Sequence, residues 1–391
     1  MPNTDFTSII LELEDAVVEN VTSDNDSIHV FFSMNRKAVP CPACGSFTTQ
    51  IHDYRNSVIK DIPMMGKLTF LHYRKRRYRC PCGKRFYEPF PLLPRYCRIT
   101  TRLGFYAIHQ LRSTMNVSAV ALHSGISPSS VFRRMKDVSY PRPNVLPHVL
   151  SIDEFKGNAQ GQKYQAILTD AKNHKLVDIL PSRTQETLLN YFQSFPNRKD
   201  VRYFVMDMNK AYLEMKDLIF PNAIPVIDRF HVIRYVTWAF ENVRKRVQKQ
   251  MHPDRRKYFK RSRRLLLAHQ ASLSEENLTA VEVMLGLSPD LAVAYHLKEL
   301  FYTFMGSQSR KEAGVRLKKF ILAAQVSELE EYKSVLTMLG NWGSCILNAF
   351  DCPYSNGYTE GTNNKIKVIK RNAYGYRNFE NFRNRIFLSM K

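Results

Sequence analysis

Five strand-like segments between Val149 and Asp228 constrain the fold of this chain more than any other feature. The first three, VLSIDEF, KYQAILTDA and KLVDILPS, are apolar runs separated by short polar turns. After a helical stretch, Thr184 to Phe195, two more strands, VRYFVMD and AIPVID, flank an amphipathic helix from Lys210 to Phe220. Three consecutive strands followed by alternating helices and strands predict a mixed sheet with helices on both faces.

Three acidic residues fall where such a sheet can build a metal-dependent site. Asp153 lies in the first strand, Asp207 ends the fourth, and Glu360 lies in the first turn of a helix that begins near Thr359. The strand order describes the ribonuclease H-like fold, in which carboxylates from these three elements bind divalent ions. Two Mg²⁺ or Mn²⁺ ions about 4 Å apart can activate the attacking oxygen and stabilise the leaving oxygen of a phosphoryl transfer.

Each aspartate alone has a simpler interpretation, because an Asp at the end of a strand commonly caps a turn or a helix. The joint placement of the three acids favours the catalytic interpretation. Glu154 competes with Asp153 for the first position, since adjacent residues of a strand point to opposite faces. Asp170 and Asp178 also lie near strand ends and are expected to be structural.

Two close cysteine pairs precede this sheet, Cys41 with Cys44 in CPACGS and Cys80 with Cys82 in CPCGKRFYE. A glycine follows the second cysteine of each pair, and strand-like segments flank both pairs. Knuckles of this kind, delivered by β-hairpins, predict a zinc ribbon that binds one structural Zn²⁺. The total of seven cysteines is odd, which also favours metal binding in a reducing compartment over disulfides.

The ligand set of this zinc site stays open on spacing alone. One residue separates Cys80 from Cys82, whereas at least two usually separate the ligands of a knuckle. The other candidate ligands are His52, His72 and Cys97. Upstream, residues 16–33 alternate as strands about a turn-forming segment at 24–27, which predicts a hairpin leading into the first pair.

The stretch from Thr100 to Lys136 has a helical pattern. Within VSAVALHSGISPSSVFRRM, Ala121, Gly125 and Val131 occupy the positions where a helix-turn-helix needs a small residue, a turn residue and a core residue. Ser127–Pro128 would begin the recognition helix, with proline at its first position. A helical hairpin without a DNA-binding role is the alternative.

The formal net charge of +23 favours a polyanionic partner, because Lys and Arg displace counterions condensed on phosphates. DNA is preferred over an anionic membrane, since the sequence has no apolar run of roughly 18 residues. The amino-terminal MPNTDFTSII does not have the pattern of a signal peptide, so a cytoplasmic, nucleoid-associated protein is expected.

Basic runs at 74–79, 244–264 and 365–371 are the expected DNA contacts, with solvated helix faces as the alternative. Side chains of the predicted recognition helix join them. The individual residues expected to face DNA are Arg74, Lys75, Arg76, Arg77, Ser129, Ser130, Arg133, Arg134, Lys365, Lys367, Lys370 and Arg371.

A linker and a long helical stretch complete the division into domains. YPRPNVLP at 140–147 contains three prolines and marks the linker. From His231 to about Leu339 the strand signals are absent, which predicts an all-α insertion. The chain is therefore expected to be a multidomain α+β protein. Its parts are a zinc ribbon at 1–95, a helix-turn-helix at 96–140, and a ribonuclease H-like α/β catalytic domain at 148–232 and 341–391, interrupted by the insertion at 233–340.

These motifs resemble those of the DDE transposases of bacterial insertion sequences, specifically the ISL-type family. The resemblance spans nearly the whole chain and rests on the order of domains and on four strings, SIDEF, VMDMNKAY, VIDRFHVI and SNGYTEGTNNKIKVIKRNAYGYRNFENFRNR. It implies that Asp153, Asp207 and Glu360 are the catalytic triad. It also implies that Asp228 and His231 form an Asp-x-x-His element, in which His231 braces the site or contacts the scissile phosphate. A core or capping histidine is the alternative.

The family implies a transposase that binds the terminal inverted repeats of its insertion sequence and then cleaves and joins DNA. Because two ends must be joined, a homodimer or larger oligomer is expected on transposon-end and target DNA. The first alternative is a non-catalytic DNA-binding regulator made from the same modules. The second is a structure-specific nuclease that shares the metal chemistry.

Overall fold

The structure is a computed structural model that describes residues 15–94, 96–113 and 115–390 of the chain. The amino-terminal segment MPNTDFTSII, which is expected not to be a signal peptide, lies outside the described residues. The chain divides into two compact units, the first made of residues up to Pro141 together with Ile366–Lys391 and the second of Arg142–Lys365. None of the helices in the described ranges combines the length and the apolar character needed to cross a bilayer.

The described part of the first unit begins with seven strands, β1 (Ala16–Ser23), β2 (Ser27–Met34), β3 (Val39–Pro40), β4 (Phe47–Thr48), β5 (Ile51–Met64), β6 (Lys67–Arg79) and β7 (Arg85–Tyr87). A sheet in the order β1-β2-β6-β5 carries β7 on β6, and β3 pairs with β4 separately. The turn between β1 and β2 is held by Asp24, which accepts hydrogen bonds from the backbone N–H groups of Asp26 and Ser27. The hairpin predicted about residues 24–27 is confirmed.

Three helices follow, α1 (Thr101–Gln110), α2 (Val117–His123) and α3 (Pro128–Asp137). Ser127 caps α3 by accepting a hydrogen bond from the Ser130 N–H, and Pro128 is the first residue of the helix. Ala121 and Val131 are buried, and Gly125 turns the chain with a φ of +61°. The small, turn and core residues of the predicted helix-turn-helix therefore lie where that motif requires them.

The second unit is built on another five-stranded sheet, with strands β8 (Val149–Ala159), β9 (Gln162–Asp170), β10 (Lys175–Leu180), β11 (Tyr203–Met206) and β12 (Ile224–Ile227). Their order is β10-β9-β8-β11-β12. The first three strands form an antiparallel meander, and β11 and β12 run parallel to β8. The mixed sheet predicted from the sequence is confirmed.

Helices α4 (Gln185–Gln193) and α5 (Lys210–Ile219) connect strands of this sheet. Seven helices then follow β12, namely α6 (Arg229–Lys249), α7 (Pro253–Arg261), α8 (Arg263–Leu267), α9 (Glu275–Leu285), α10 (Pro289–Met305), α11 (Arg310–Val326) and α12 (Lys333–Asn348). Buried side chains of the sheet, such as Leu150 and Phe204, and of the helices, such as Phe240, Phe301 and Tyr332, belong to one continuous core. The long helical segment thus folds onto the sheet and does not form a core of its own.

Two carboxyl-terminal helices remain, α13 (Gly357–Asn372) and α14 (Phe379–Met390). Leu388 of α14 is buried in the helix-turn-helix core, and Arg385 donates hydrogen bonds to the backbone carbonyls of Ser113 and Met115. The sequence-based division assigned all of 341–391 to the catalytic domain, whereas the first compact unit includes everything from Ile366 onward. The difference arises because the buried face of α14 finds its apolar partners in the helix-turn-helix.

Candidate active site

Strand register brings three aspartates into one row at the end of the second sheet. The first three residues of β8 pair with residues 54 positions later in β11, from Val149 with Tyr203 to Ser151 with Val205. Continued two residues beyond the last pair, this register sets Asp153 beside Asp207. Strand β12 pairs with β11 at an offset of 21 residues, which sets Asp228 beside Asp207. Strands β11 and β12 end one residue before Asp207 and Asp228, whereas β8 continues past Asp153 to Ala159. The register therefore gathers the three carboxylates where β11 and β12 end.

Buried polar side chains fix the start of helix α13 against this sheet. Ser151 Oγ donates a hydrogen bond to Asn356 Oδ1. Thr359 Oγ1 lies 2.7 Å from Thr169 Oγ1 and 3.2 Å from Ser151 Oγ. Because these hydroxyls and the amide are buried, their hydrogen bonds determine where the first turn of the helix lies. Glu360, in that turn, is thereby directed to the row of aspartates.

Asp228 links two helix starts. Its Oδ1 accepts a hydrogen bond of 2.8 Å from the Phe230 N–H and caps α6, and its Oδ2 accepts one of 2.8 Å from the Asn356 N–H. The residue is buried. Since backbone donors engage both oxygens, Asp228 ties the start of α6 to the residue that precedes α13.

His231 contacts two of the three predicted catalytic acids. Its Nε2 lies 3.2 Å from Asp207 Oδ1 and 3.8 Å from Glu360 Oε1. The ring is half-buried and lies among carboxylates, which favours a place in the site over one in the core. Asp207 Oδ1 is buried, and despite its nearness to His231 it accepts no aligned hydrogen bond. A buried carboxylate oxygen without a donor is well suited to bind a cation.

The partners of Asp153 and Glu154 distinguish the two candidates for the first position. Both residues border the same cleft, so the argument from opposite strand faces does not separate them. Glu154 forms an ion pair with Arg183 and accepts a hydrogen bond of 3.3 Å from the Tyr212 hydroxyl. Asp153 Oδ2 accepts a hydrogen bond of 2.6 Å from Asn363 Nδ2 and lies next to Asp207 in register. The arrangement favours Asp153 as the residue that acts with Asp207.

The electrostatics of the cleft, which has a volume of about 390 Å³, favour a divalent cation. Burial, followed by repulsion from Asp207, raises the pKa of Asp153 to about 7. Burial, followed by repulsion from Asp228, raises the pKa of Asp207 to about 6, and the Asn356 amide opposes part of this rise. Ionising both carboxylates near neutral pH therefore costs free energy that a bound cation would offset. Their hard oxygen donors fit Mg²⁺ or Mn²⁺.

Three residues of this site were missed by sequence analysis, Asn356, Thr359 and Asn363. With Glu360 they follow the spacing i, i+3, i+4 and i+7, which defines one face of a helix and was a usable signal in the sequence. Asp170 and Asp178, expected to be structural, are so. Asp170 accepts backbone hydrogen bonds in the turn after β9, and Asp178 accepts one from the Tyr191 hydroxyl.

The four predicted zinc ligands converge. Cys41 Sγ lies 3.7 Å from Cys82 Sγ, Cys44 Sγ lies 3.5 Å from Cys80 Sγ, and all four sulfurs are within 4.8 Å of one another. A tetrahedral site with Zn–S bonds of about 2.3 Å requires sulfurs about 3.8 Å apart, so the cluster fits Zn²⁺. Hydrogen bonds from Ser46 lower the pKa of the Cys44 thiol to about 6, which favours the thiolate that zinc binds.

The alternative zinc ligands are not part of this cluster, which contains cysteines alone. His52 lies 2.9 Å from Asp53, and His72 Nε2 lies 2.9 Å from His29 Nδ1. The tight second knuckle is possible because Gly83 adopts a φ of +88°. Its N–H then donates a hydrogen bond to the Cys80 carbonyl. The one-residue gap in the second pair therefore does not change the ligand set.

The residues expected to face DNA differ in their exposure. Ser129 and Arg133 are exposed on α3, whereas Ser130 and Arg134 are half-buried, and Arg134 lies 3.0 Å from Asp137. On α13, Lys365, Lys367 and Arg371 are exposed and Lys370 is half-buried.

The basic run on β6 divides in the same way. Arg74 is exposed with its guanidinium 4.3 Å from the Tyr54 ring, and Lys75 and Arg77 are half-buried beside Tyr87. Arg76 is buried, pairs with Glu88 and donates a hydrogen bond to the Met34 carbonyl. The expectation that Arg76 faces DNA is therefore corrected, because its charge is used inside the sheet.

The run at 244–264 is also partly structural. Arg244 is buried against Glu241, and Arg246 forms ion pairs with Asp290 and Glu331. The Arg244 pair lies within α6, whereas Arg246 links α6 to Asp290 of α10 and to Glu331. Both arginines are therefore engaged by carboxylates of the second unit.

Comparison with known proteins agrees with this arrangement. Residues 150–386 match the family model of the ISL3 transposases, residues 37–82 match the zinc finger of the transposases IS204/IS1001/IS1096/IS1165, and residues 88–139 match the helix-turn-helix domain of transposase family ISL3. The transposase for insertion sequence element IS1001 of Bordetella parapertussis is 28% identical over 367 residues, covering 91% of this chain and 90% of that protein.

Two further relatives cover less of the chain. The transposase for insertion sequence element IS1557 of Mycobacterium tuberculosis is 24% identical over 254 residues, 58% of this chain and 56% of its own length. A Lactococcus lactis protein named ATP-dependent protease is 36% identical over 131 residues, 34% of this chain and 38% of that protein. That name does not extend to this chain, whose sequence lacks the G-x-x-x-x-G-K-[S/T] motif that binds ATP phosphates.

The domain order, the convergent acids and the match over residues 150–386 lead to one conclusion. This chain belongs to the ISL3 family of insertion-sequence transposases, with a zinc-ribbon and a helix-turn-helix domain ahead of the transposase domain.

Proposed function

We propose that this chain is a DDE transposase that cleaves DNA at the ends of its insertion sequence and joins the freed 3′-hydroxyl to target DNA. Asp153, Asp207 and Glu360 would bind two Mg²⁺ or Mn²⁺ ions. The proposal rests on one observation: the His231 ring contacts both Asp207 and Glu360, and Asp153 lies next to Asp207 in register. The strand order β10-β9-β8-β11-β12, with helices after β12, supports a ribonuclease H-like catalytic domain interrupted by a helical insertion.

Each residue of the site has a separate task in this proposal. Bound ions would generate a nucleophilic hydroxide and stabilise the leaving oxygen. Asn363 fixes the Oδ2 atom of Asp153, so that the carboxylate is oriented before metal arrives. His231 separates Asp207 from Glu360 and holds a ring nitrogen where it can donate a hydrogen bond to a phosphate oxygen. Arg183 and Tyr212 keep Glu154 from competing for the ions.

The first unit would recognise the terminal inverted repeats. Exposed Ser129 and Arg133 of the recognition helix can reach base edges in the major groove, and exposed Arg74 can contact phosphates. Exposed Lys365, Lys367 and Arg371 add positive charge along α13. Joining two ends requires at least two copies, so a homodimer or larger oligomer on DNA, in the cytoplasm with the nucleoid, is part of the proposal.

The direct test uses purified full-length protein, DNA bearing the element's ends, and Mg²⁺. We expect Asp207→Asn and Glu360→Gln each to lower strand cleavage by a factor of about 10³ or more, because metal-assisted stabilisation of the transition state is worth several kcal/mol. Asp217→Asn is the matched control, since Asp217 is an exposed acid on α5. Cleavage unchanged in the first two variants would sink the catalytic assignment.

The same assay separates the alternative functions. A non-catalytic regulator would bind end DNA but leave it intact with Mg²⁺ present. A structure-specific nuclease would cut without producing strand-transfer products. For DNA binding itself, affinity should fall steeply with salt, since several phosphate contacts release counterions, and a flat salt response would contradict it.

A further inference from the structure

An aromatic stripe on helix α6 extends the candidate active site away from the acids. His231, Arg234, Tyr235 and Trp238 follow the spacing i, i+3, i+4 and i+7, so they share one face of the helix. All four border the cleft that contains Asp153 and Asp207. The cleft thus has an acidic end at His231 and an aromatic end at Trp238.

The core of the second unit does not account for these aromatic side chains. Helix α6 buries a different face, with Val232, Val236 and Phe240 packed in the core. Trp238 is 52% exposed and Tyr235 is 40% exposed. Exposed tryptophan and tyrosine in a cleft are typical of a binding surface, because each offers a large apolar face at a small cost in conformational entropy.

Neighbouring side chains hold the indole in place. The guanidinium carbon of Arg234 lies 4.3 Å from the centre of the Trp238 ring, and the Tyr235 ring centre lies 6.3 Å away from it. The cation stacks on one part of the indole, about half of Trp238 remains exposed to solvent, and the residue borders the cleft. The Trp238 side chain is therefore held in position by its neighbours and has a positive charge beside it.

The separation between Trp238 and the acids can be estimated along helix α6. Trp238 lies seven positions after His231, which is about 10 Å along a helix at 1.5 Å per residue. Stacked nucleotides of one strand are spaced about 3.4 Å apart, so this length corresponds to about three nucleotides, or fewer if the strand is extended.

We propose that Trp238, with Arg234 and Tyr235, stacks on an unpaired base of the DNA strand in the cleft, about two or three nucleotides from the phosphate that the acids cleave. The inference rests on the proposed function. An unpaired base is required because a paired base has both faces covered by its neighbours, whereas a base out of the stack offers a free face to an aromatic ring. The positive charges of Arg234 and Lys210, which also border the cleft, suit the adjoining phosphates.

The size of the cleft favours a nucleotide over a protein surface as the occupant. Its volume of about 390 Å³ lies in the range that encloses a small ligand. Charged groups, Asp153, Glu154, Asp207, Lys210 and Arg234, line much of it. An apolar peptide would leave those groups without partners, whereas a nucleotide supplies a phosphate for the cations and a ring for the indole.

The two tryptophans of the chain allow a direct test in the absence of metal. Trp342 lies on α12, is partly buried against the core and does not border the cleft. The full-length Trp342→Phe protein reports on Trp238 alone, and the Trp238→Phe protein is the matched control that reports on Trp342. The probe is an oligothymidylate of about 12 nucleotides, compared with a blunt, G·C-capped duplex, with binding followed separately by anisotropy of labelled DNA.

We expect the single strand to quench Trp238 fluorescence strongly, since a stacked base quenches the indole, and to leave Trp342 nearly unchanged. The duplex should bind yet quench Trp238 much less. Saturating single strand without quenching of Trp238, or equal quenching of both tryptophans, would overturn the inference. Trp238→Leu should weaken binding to DNA with an unpaired end about tenfold and leave binding to fully paired DNA unchanged.

Two further variants separate this inference from the proposed function. Asp207→Asn in the Trp342→Phe background should keep the quenching while losing cleavage. Quenching together with unaffected cleavage in that variant would overturn the catalytic assignment alone, whereas lost quenching with the expected loss of cleavage would overturn the stacking surface alone. A shift of the DNA-free protein to a smaller assembly in Trp238→Leu would identify the aromatic surface as a contact between copies, and would contradict the proposal.

Discussion

Asp153 and Asp207 illustrate how a candidate active site is less stable than its surroundings. They lie at matching positions of adjacent strands, are partly buried, and have pKa values raised to about 7 and about 6. A carboxyl group whose folded pKa is raised keeps its proton in the folded state over a pH range in which the unfolded chain has lost it. The free energy of unfolding therefore falls as the pH rises from about 4 to about 7, and the loss is complete above that range.

Because both carboxyl groups hold protons at low pH, the binding of Mg²⁺ to them should depend on pH. Mg²⁺ should stabilise the protein more at pH 8 than at pH 5.5, because protons compete for the same oxygens at the lower pH. At a concentration ten times its Kd, the ion should add about 1.4 kcal/mol, a rise in Tm of about 3–6 °C at pH 8. Differential scanning calorimetry measures it. Asp207→Asn should abolish the difference between the two pH values, and an equal shift at both would contradict the prediction.

Gly125 is a second residue with a predictable cost of substitution. Its φ is +61°, and a Cβ added there would lie 2.7 Å from Leu68 Cδ2. Gly66 is the matched control, with a φ of +77° and nothing within 4 Å of its Cβ position. Gly66→Ala should lower the free energy of unfolding of the first unit by about 1 kcal/mol, from backbone strain alone. Gly125→Ala should cost about 2–3 kcal/mol, because a clash is added. Equal losses in denaturant titrations would argue against the contact.

At the scale of elements, the position of helix α13 depends on a few buried hydroxyl groups. Thr359 contacts Thr169 on β9 and Ser151 on β8, and Asn356 contacts Ser151 and Asp228. Glu360 lies more than a hundred residues after the aspartates in the chain, so its position beside them depends on how α13 packs against the sheet. The first turn of this helix is therefore the element on which the assembly of the site depends.

Thr359→Val tests that dependence. The substitution keeps the shape of the side chain but leaves the Thr169 hydroxyl without its partner, at a cost of about 1–3 kcal/mol in the free energy of unfolding. Thr362→Val is the matched control, because the buried Thr362 hydroxyl donates its hydrogen bond to the Tyr358 carbonyl within the same helix. We expect it to cost about 0.5–1 kcal/mol.

A double variant makes the Thr359 prediction sharper. Thr169→Val combined with Thr359→Val removes both hydroxyls and should recover part of the loss, since no buried group is then left without a partner. Strictly additive losses, measured by urea unfolding, would show that the two hydroxyls do not interact.

At the scale of the whole molecule, the two compact units have different sources of stability. The second unit has a large continuous core, whereas the core of the β-sheet in the first unit is small and includes Phe32, Leu71 and Tyr73. The cysteine cluster lies at the ends of β-strands of the first unit. A small sheet with a modest core gains a large part of its stability from a structural metal.

Cys80→Ser should therefore remove zinc and unfold the zinc ribbon, while the second unit keeps its helical circular dichroism and its thermal transition. Cys97→Ser is the control, because Cys97 is outside the cluster and should leave the zinc content unchanged. Zinc is measured by mass spectrometry of the purified protein. Full retention of zinc in Cys80→Ser would show that the four sulfurs are not the ligand set.

The sequence by itself determined the order of elements, because strand alternation, helix periodicity, caps and turn glycines act over short distances in the chain. It predicted the hairpin at 24–27, the cap at Ser127, the strands that carry Asp153 and Asp207, and a helix with Glu360 in its first turn, while the preference for Asp153 over Glu154 relied on the family resemblance. It did not settle Asp153 against Glu154, or the zinc ligands. Those choices depended on partners distant in sequence, such as Asn363 for Asp153 and Arg183 for Glu154.

Only the tertiary structure decided which charges are available and which element completes each core. Arg76 and Arg244 have the same sequence signal as exposed arginines, but each is buried against a glutamate. The last helix follows the catalytic motif in sequence, yet it packs in the helix-turn-helix core. The physical reason is that burial and ion pairing depend on contacts between segments that are distant in sequence. Local sequence patterns do not specify those contacts.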